Sequence, residues 1–450
     1  MTFSEQVPTV CLCNAVDTLR GIADRAHSAE EANLILSESC YQQDQALFWE
    51  PGRKLIVTAE PIAELAWQTD FLGLEGISNT SPRHASTALF TDVAEDQCIV
   101  RDLVSHAGSG GRLRLIPHTT TPELWKLVDM LETQHGLRIE LPESTVNQAL
   151  RDYLDTKIGL RALAEECGLQ DTACRVARGA ACTTRQEAAE AVEGFQRSEA
   201  SCIVKADRGE ASVGLLIFRP GDSTTTVRRE LEQCAFYGDD PIVVEEYIEG
   251  AGVVFPSVEY VISGDPAVPP QLTHICLMLF EGATQLRGNV TTASLGEHPW
   301  HSNLIAGSEI IARELQQRGY RGHFGIDAVA RPDGTVFLLD LNARRTGSTH
   351  VHDFGVGFFG DDYRDRVTVG NYDFYGLPHD VPLSSVLSGL GSLAAPPGAG
   401  DEGVVPCELT GLRTGRLSCL IFASTLSRFE AVVEQVRAAV ATINAEYDSR

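Results

Sequence analysis

Two carboxylates and a carboxamide lie close together in the segment HFGIDAVARPDGTVFLLDLNARR, residues 323–345. Its turn, RPDG, separates two apolar runs and predicts a β-hairpin. Side chains alternate along a strand, so Asp340 and Asn342 point to the same face, and Asp327 is expected to join them from the partner strand. Such hard oxygen ligands suit Mg²⁺, which is usually held by a couple of carboxylates together with substrate phosphates.

The register of this hairpin can be predicted from its turn. If Ala330 pairs with Thr335, Asp327 faces Leu338 on the polar face. The other face then packs on a core and carries Ile326, Ala328, Phe337, Leu339 and Leu341. Carboxylates so close together are costly unless a cation or hydrogen bonds compensate them. From this segment alone, an ordinary solvated hairpin face remains the alternative to a metal site.

Length and composition indicate what must position these residues. The chain has 450 residues, of which 43% are hydrophobic and 22% are charged. This composition is typical of a globular protein, and the length suggests about two to four domains. Residues 1–145 alternate strand-like and helical runs, which favours an α/β domain.

The charge balance excludes some classes of partner. The net charge is −26, with 62 acidic against 36 basic residues. This argues against binding to nucleic acid or to an anionic membrane. The sequence has no apolar run long enough for a membrane span, and its start lacks the features of a signal peptide. We therefore expect a cytoplasmic protein.

Lysine is scarce, and two of the four lysines stand in unusual places. Lys157 lies in a predicted helix, Leu150–Cys167. Lys205 interrupts the apolar strand that begins with Cys202–Val204, and it leads into a loop of small residues, Gly209–Gly214. Backbone N–H groups of such a loop can approach phosphate oxygens closely, and a lysine in an apolar strand needs an anionic partner.

Together these segments resemble the ATP-grasp superfamily, in the expected order along the chain. In that family an acidic residue, any residue and then Asn end the metal-binding strand. Here Asp340 replaces the commoner Glu, and Ala343 replaces a common Pro. The segment VVEEYIEG resembles the hinge strand whose backbone pairs with adenine. The resemblance implies metal ligation by Asp327, Asp340 and Asn342, and nucleotide binding by Lys157, Lys205, Ser212, Gly214, Glu245, Glu246, Tyr247, Ile248 and Glu249. Glu249 and Glu259 are the alternatives for contacting the ribose.

The resemblance also implies the architecture. We expect an α/β (α+β) protein with an ATP-grasp fold. Its predicted parts are an N-terminal α/β domain (1–145), a central lid domain (146–240), a catalytic domain (241–390) and a small C-terminal subdomain (391–450).

The family's common chemistry is carboxylate activation. By resemblance, a substrate carboxylate attacks ATP to give an acylphosphate and ADP, and an amine then displaces phosphate. ATP and Mg²⁺ are the expected cofactors, with Mn²⁺ as a substitute. Lys205, Arg344 and Arg345 are the predicted catalytic residues, and which arginine holds the acylphosphate and which the substrate carboxylate is left open.

The segment NARRTGSTH and the long N-terminal region look most like the pheganomycin-type bacterial peptide ligases of antibiotic biosynthesis. That likeness implies an amino-acid-like acid, such as a guanidino-acid, and an amine or peptide N-terminus as substrates. A D-alanyl-D-alanine-type ligase, a carboxylase and a non-catalytic ATP-binding module remain alternatives. The oligomeric state is open, with a homodimer among the options.

Overall fold

The computed structural model describes residues 7–26, 28–145, 147–209, 214–237, 240–282 and 284–448. Within these ranges the strands form three sheets, of five, four and nine strands. No helix in the described part of the chain is both long enough and apolar enough to cross a lipid bilayer.

The first sheet, here called the N-terminal sheet, is parallel throughout. This region contains β1 (Thr9–Leu12), α1 (Ala15–Ala23), α2 (Ala29–Gln42), β2 (Lys54–Val57), α3 (Leu65–Leu72), β3 (Ile77–Thr80), α4 (Leu89–Glu95), α5 (Gln97–Ala107), β4 (Arg112–Pro117), α6 (Pro122–His135) and β5 (Arg138–Glu140). The strand order is β3-β2-β1-β4-β5. Because β1 and β4 are neighbours, α1 and α6 start beside each other at the carboxyl ends of these strands.

The second sheet, here called the lid sheet, is antiparallel, with the order β7-β10-β8-β9. The elements of this region are α7 (Gln148–Leu154), α8 (Lys157–Glu166), β6 (Cys174–Val176), β7 (Gly179–Cys182), α9 (Arg185–Arg197), β8 (Cys202–Ala206), β9 (Leu216–Phe218), α10 (Thr224–Gln233) and β10 (Ile242–Glu246). Apolar side chains of α9 and α10 pack on this sheet to form a separate small core.

The third sheet, here called the catalytic sheet, has the order β17-β18-β16-β13-β12-β11-β14-β15-β6. Its region contains β11 (Pro256–Ile262), β12 (Gln271–Glu281), β13 (Gln285–Thr291), α11 (Pro299–Gln317), β14 (Gly322–Ala330), β15 (Val336–Asn342), α12 (Thr349–Phe359), β16 (Thr368–Tyr375), α13 (Leu383–Leu390), β17 (Gly403–Cys407), β18 (Arg416–Ala423) and α14 (Leu426–Asp448). Helix α8 and helix α11 pack with β11, β14 and β15 in one apolar core.

Sheet membership shows where the predicted domain limits fall. The limit at 241 separates β10 from the other strands of the lid sheet, and the limit at 391 separates β17 and β18 from the rest of the catalytic sheet. The C-terminal strands therefore extend the catalytic sheet, because β18 pairs along its whole length with β16.

The predicted hairpin forms from β14 and β15, but its predicted register was wrong. Asp327 lies opposite Asp340, and Ala328 lies opposite Leu338, with a β-bulge between these pairs. Leu339 is therefore the extra residue of β15. Ile326, Ala328 and Leu341 pack in the core as expected. Phe337 and Leu339 instead pack on the opposite side, in a small apolar cluster near the hinge strand.

The helix predicted for Leu150–Cys167 is broken into α7 and α8. The side chain of Thr156 accepts a hydrogen bond from the backbone N–H of Gly159 and caps α8. This cap competes with a continuous helix, because Thr at such a position favours a new helix start. Lys157 is consequently the first residue of α8 rather than a mid-helix residue.

Candidate active site

A cavity of about 340 Å³ lies where the N-terminal region, the α7–α8 junction and the β14–β15 hairpin meet. The hairpin side of the cavity is lined by Asp340, Asn342 and Arg344, together with Lys157. Arg208 and Gly209, from the segment after β8, line it as well. The structure thus brings four of the predicted site residues to one cavity.

The two predicted metal-ligating carboxylates lie directly opposite each other on adjacent strands. Asp327 pairs with Asp340 on one side and with Ser257 of β11 on the other. Asn342 donates a hydrogen bond from Nδ2 to Asp327 Oδ2 at 3.0 Å. Burial raises the pKa of Asp327, and the charge of Asp340 raises it further, while hydrogen bonds from Ser257 and Asn342 lower it. Asp327 and Asp340 therefore need a nearby positive charge if both carboxylates are to be ionised.

Lys157 supplies part of that charge. Its Nζ atom lies 3.3 Å from Asp340 Oδ2 and donates to the backbone oxygen of Gly209 at 3.3 Å. The side chain is almost fully buried. Lys157 thus joins the hairpin to the segment that leaves the lid sheet, at the point where α8 begins.

Arg344 is held by a carboxylate that the sequence analysis did not identify. Asp155 Oδ1 accepts hydrogen bonds from Arg344 Nη1 at 2.5 Å and from the backbone N–H of Ala343 at 2.9 Å. Its Oδ2 accepts from Arg151 Nη2 at 3.0 Å. Burial opposes ionisation of Asp155, but Arg151 and Arg344 keep its pKa below the usual value. The loop after β15 is therefore fixed by one buried anion.

Lys205 lies in a second buried ion cluster and is not among the residues that line the cavity. Its Nζ is 2.7 Å from Glu245 Oε2, and Arg161 Nη1 is 2.7 Å from Glu245 Oε1. Burial disfavours the charged form of Glu245, but Lys205 and Arg161 keep its pKa below the usual value. Glu245 is in β10, opposite β8, so the predicted hinge strand and the predicted phosphate lysine are in contact.

The remaining hinge residues have different surroundings. Ile248 is buried with Ala177, Val329 and Phe337, and Leu339 packs against this apolar cluster.

The acidic residues of the hinge segment are paired with arginines. Glu246 lies 3.4 Å from Arg331 and 3.7 Å from Arg178. The backbone N–H of Tyr247 donates to Ser201, and Glu249 is paired at the surface with Arg219 at 2.7 Å. The alternative ribose residue, Glu259, is buried and accepts from Thr349 at 2.5 Å.

In the small-residue loop, the predicted contact Ser212 lies outside the described residues. Gly214 has φ +73°, and an added Cβ would come within 3.0 Å of Phe236 Cβ. Glycine therefore fits this position both for its backbone conformation and for the close approach of Phe236.

Arg345 points away from the cavity. It is 1% exposed, donates to Glu143 Oε1 at 3.0 Å, and lies over the ring of Trp49 with 5.2 Å between guanidinium carbon and ring centroid. Glu50 is 3.6 Å away. The structure thus places the two adjacent arginines in separate surroundings, with Arg344 at the cavity and Arg345 in a buried contact with the N-terminal region.

The donor set at the hairpin fits a hard divalent cation. Asp327, Asp340 and Asn342 offer oxygen ligands on one side of the sheet, and Lys157 compensates only part of the charge of the opposed carboxylates. Among the described residues, no group of three His, Cys, Asp or Glu side chains could hold a metal. In proteins, Mg²⁺ is usually held by one or two carboxylates together with phosphate oxygens of a bound substrate.

Two residues missed from the sequence had recognisable signals. Asp155 stands two residues before Lys157, at the end of an amphipathic run, where an acid could leave the helix and cap a neighbouring loop. Arg161 follows Lys157 by four residues, which places both side chains on one side of α8. The third missed group, Thr119–Thr121, lines the far end of the cavity and had no signal beyond its polarity.

Comparison with known proteins identifies the fold. Residues 180–348 match the family model described as an ATP-grasp domain. No curated protein sequence matches the chain. Among solved structures, an ADP complex of N5-carboxyaminoimidazole ribonucleotide synthetase is similar with a TM-score of 0.55 and 13% identity, covering 96% of each chain.

Two further structures extend this comparison. Biotin carboxylase from Campylobacter jejuni has a TM-score of 0.55 at 11% identity, covering 95% of this chain and 90% of that one. N5-carboxyaminoimidazole synthase from Aspergillus clavatus, in complex with ADP and 5-aminoimidazole ribonucleotide, has a TM-score of 0.53 at 12% identity, with coverages of 97% and 99%. At these identities the likeness concerns the fold, and it confirms the predicted fold class.

Proposed function

Because the chain has an ATP-grasp fold, we propose that it is an ATP-dependent ligase that joins a carboxylic acid to an amine and releases ADP. The observation that carries this proposal is one cavity that is lined by Asp340 and Asn342 of the hairpin together with Lys157 and Arg344, with Asp327 directly opposite Asp340 on the adjacent strand. Two cationic side chains and a cation-binding carboxylate pair suit a reaction in which two anions must be held together.

The proposed reaction has two steps. An oxygen of the substrate carboxylate attacks the γ-phosphorus of ATP, giving an acylphosphate, and ADP leaves. The amine nitrogen then attacks the acyl carbon, phosphate leaves, and the nitrogen loses a proton as the amide forms. Lys157 and Arg344 would stabilise charge on the transferring oxygens. Mg²⁺, or Mn²⁺ in its place, would be held by Asp327, Asp340 and Asn342 and would neutralise phosphate charge.

The nucleotide would occupy the side of the hairpin that faces the hinge strand. Lys205, which is held by Glu245 at 2.7 Å, would contact the triphosphate there. The backbone N–H of Ile248 makes no hydrogen bond with any described residue, so it is free to pair with an adenine edge. The apolar cluster around Ile248, which includes Phe337 and Leu339, would pack against the base.

The narrower proposal concerns the substrates. The NARRTGSTH segment supports a stand-alone peptide ligase of the pheganomycin type, with an amino-acid-like acid and a peptide or amino-acid amine. The carboxylase alternative differs only in the first substrate, because bicarbonate would replace the organic acid. The non-catalytic alternative predicts nucleotide binding without turnover.

The test is ADP release from Mg·ATP with pairs of acids and amines, with mass spectrometry of the products. The panel contains amino acids, guanidino-acids, short peptides and bicarbonate. We expect ADP formation that needs both an acid and an amine, and a product one water lighter than their sum. Asp340→Asn should abolish turnover, whereas Asp333→Asn in the exposed turn of the same hairpin should not. ADP formation with bicarbonate as the acid would favour the carboxylase, and full turnover by Asp340→Asn would refute the site.

A further inference from the structure

The proposed reaction gives no role to the far end of the cavity, which is formed by the N-terminal region. This end lies outside the carboxyl ends of β1 and β4. The strand order is β3-β2-β1-β4-β5. After β1 the chain continues to β2 on one side, and after β4 it continues to β5 on the other side. Such a switch point opens a crevice between the following helices, and ligands of open α/β sheets bind there. The crevice is continuous with the hairpin side of the same cavity.

Two threonines that line this crevice, Thr119 and Thr121, carry buried hydroxyl groups without a hydrogen-bond partner among the described residues. Thr119 is 3% exposed, and its Oγ1 has no hydrogen-bond partner among the described residues. Its backbone N–H donates to Asn14 Oδ1 at 3.1 Å, which fixes the loop. Thr121 is the N-cap of α6, yet its hydroxyl makes no capping hydrogen bond and is buried without a partner. Buried hydroxyls without partners are costly, so two at one end of a cavity indicate a ligand.

The charged groups at this end include both signs, and Arg20 is the group that favours an anionic ligand. Arg20 of α1 lines the crevice, and its Nε is buried and has no partner in the described part of the chain. Its Nη2 lies 3.2 Å from Asp17 Oδ1, and Asp17 Oδ2 also accepts from Asn14 Nδ2 at 2.8 Å. Both carboxylate oxygens of Asp17 are thus already hydrogen-bonded, one by Asn14 and one by Arg20. Two further acids line the cavity here: Glu123 is partly exposed and lies 3.9 Å from Lys126, and Asp152 accepts from Gln148 at 2.8 Å.

The start of α6 adds to this preference. The helix has 14 residues and begins with Pro122 at the crevice, so the positive end of its dipole faces the two threonine hydroxyls. The loop after β1 reads CNAV, without the glycines that a dinucleotide pyrophosphate requires. The crevice therefore suits a small anionic group rather than a second nucleotide.

We propose that Thr119, Thr121 and Arg20 form a subsite for an anionic group, a carboxylate or a phosphate, carried by the amine substrate. This inference rests on the proposed ligase function and names the class of its second substrate. A molecule anchored here by its anion extends along the cavity toward Asp340 and Arg344, where its amine would meet the activated acid. The substrate is then an amino acid, a peptide with a free carboxyl end, or a phosphorylated amine, and a simple alkylamine is a poor substrate.

Calorimetric titration in the presence of Mg·ADP tests this subsite with pairs of probes that differ only in the anion. The pairs are dialanine against its C-terminal amide, alanine against alaninamide, and phosphoethanolamine against ethanolamine. We expect the anionic member of at least one pair to bind about tenfold to a hundredfold more tightly, as a hydrogen-bonded charge predicts. A preference within the first two pairs identifies a carboxylate, and a preference within the third identifies a phosphate.

Variants connect the preference to the named residues. Thr119→Val and Thr121→Val should each weaken binding of the preferred anion about tenfold or more. Both should leave the melting temperature unchanged or raise it, because an apolar isostere removes an unsatisfied hydroxyl. Arg20→Gln should abolish the preference within the pair. Thr133→Val, at the exposed far end of α6, is the matched control and should change neither quantity.

The outcomes separate this inference from the function on which it rests. Three results would overturn the anion subsite while ADP still binds. They are equal binding of both members of every pair, no binding by any anionic probe, and wild-type binding by the Thr119 and Arg20 variants. A chain that binds no ADP, measured in the same instrument, would instead refute the proposed ligase.

Discussion

Asp155 offers the sharpest test of how the site is held together. Its Oδ1 accepts two hydrogen bonds, from Ala343 and Arg344, and its Oδ2 accepts one from Arg151. In Asp155→Asn, the amide oxygen can replace only one of these atoms, and the amide NH₂ must then face another donor. Two nearly buried arginines, Arg151 and Arg344, also lose an anionic partner.

The expected cost follows from these contacts. Removing one partner of a buried ion pair costs about 3–5 kcal/mol, and the Asp155 side chain is 15% exposed, so we expect about 3 kcal/mol of lost stability. The loss of the Asp155 contact to Arg344 and to the loop after β15 should reduce kcat/KM for ligation by about a hundredfold, since small misplacements of a catalytic group have effects of this size. Urea unfolding measures the first quantity, and coupled ADP release measures the second.

A double-mutant cycle separates positioning from general damage. If Asp155 acts through Arg344, Asp155→Asn should cost less than about tenfold in kcat/KM when Arg344 is already Ala, because the two changes share one interaction. Asp171→Asn, at an exposed site just after α8, is the control and should leave both stability and kcat/KM unchanged. Independent, multiplicative losses in the double variant would refute the positioning role.

Three other predictions follow from contacts outside this cluster. Lys205→Ala should raise the KM for ATP about tenfold and lower kcat in steady-state assays, since a charge-assisted contact with phosphate is lost; an unchanged KM would count against the phosphate role. Arg25, just after α1, pairs with Asp240 at the lid sheet. Arg25→Asp should therefore raise the KM for ATP about fivefold, and adding Asp240→Arg should restore it; a double variant as weak as the single one would contradict the contact. Burial raises the pKa of Asp44 to about 8 from 3.8, against hydrogen bonds from Thr410 that lower it. From about pH 4 to about pH 8 the folded chain keeps a proton that the unfolded chain has lost, so stability falls as pH rises, by at most about 1.4 kcal/mol per pH unit. Urea midpoints of Asp44→Asn should lack this part of the slope, and parallel pH profiles of the two proteins would contradict it.

The sequence was informative where a local rule determines the outcome. Strand alternation placed Asp340 and Asn342 on one face, and the Asp-Gly turn located the hairpin. The order of Lys157, Lys205 and the hinge segment matched the ATP-grasp fold that the comparisons confirm. These features depend on neighbouring residues and on segment order, which a single sequence displays.

Other features depended on distant parts of the chain. The predicted register was already one residue off at the turn, where Ala330 lies opposite Val336 rather than Thr335, and the bulge at Leu339 shifts it by one more residue. Asp155, at the break before Lys157, accepts a hydrogen bond from the backbone of Ala343, which lies far along the sequence. Arg345 follows Arg344 directly, but its contact with Glu143 of the N-terminal region turns it away from the cavity. No local pattern encodes such contacts.

The bulge in β15 also bears on how this chain tolerates insertions and deletions. On either side of Leu339 the pairs Asp327–Asp340 and Ala328–Leu338 keep their faces. Deleting Leu339 would therefore leave a regular hairpin with both acids still on the same side, while removing one apolar side chain near the hinge. In an ordinary strand, removal of one residue moves the following side chains to the opposite face of the sheet. Here the removal would affect only the contact that Leu339 makes. The acid pair and the apolar wall beside it can thus vary independently of each other.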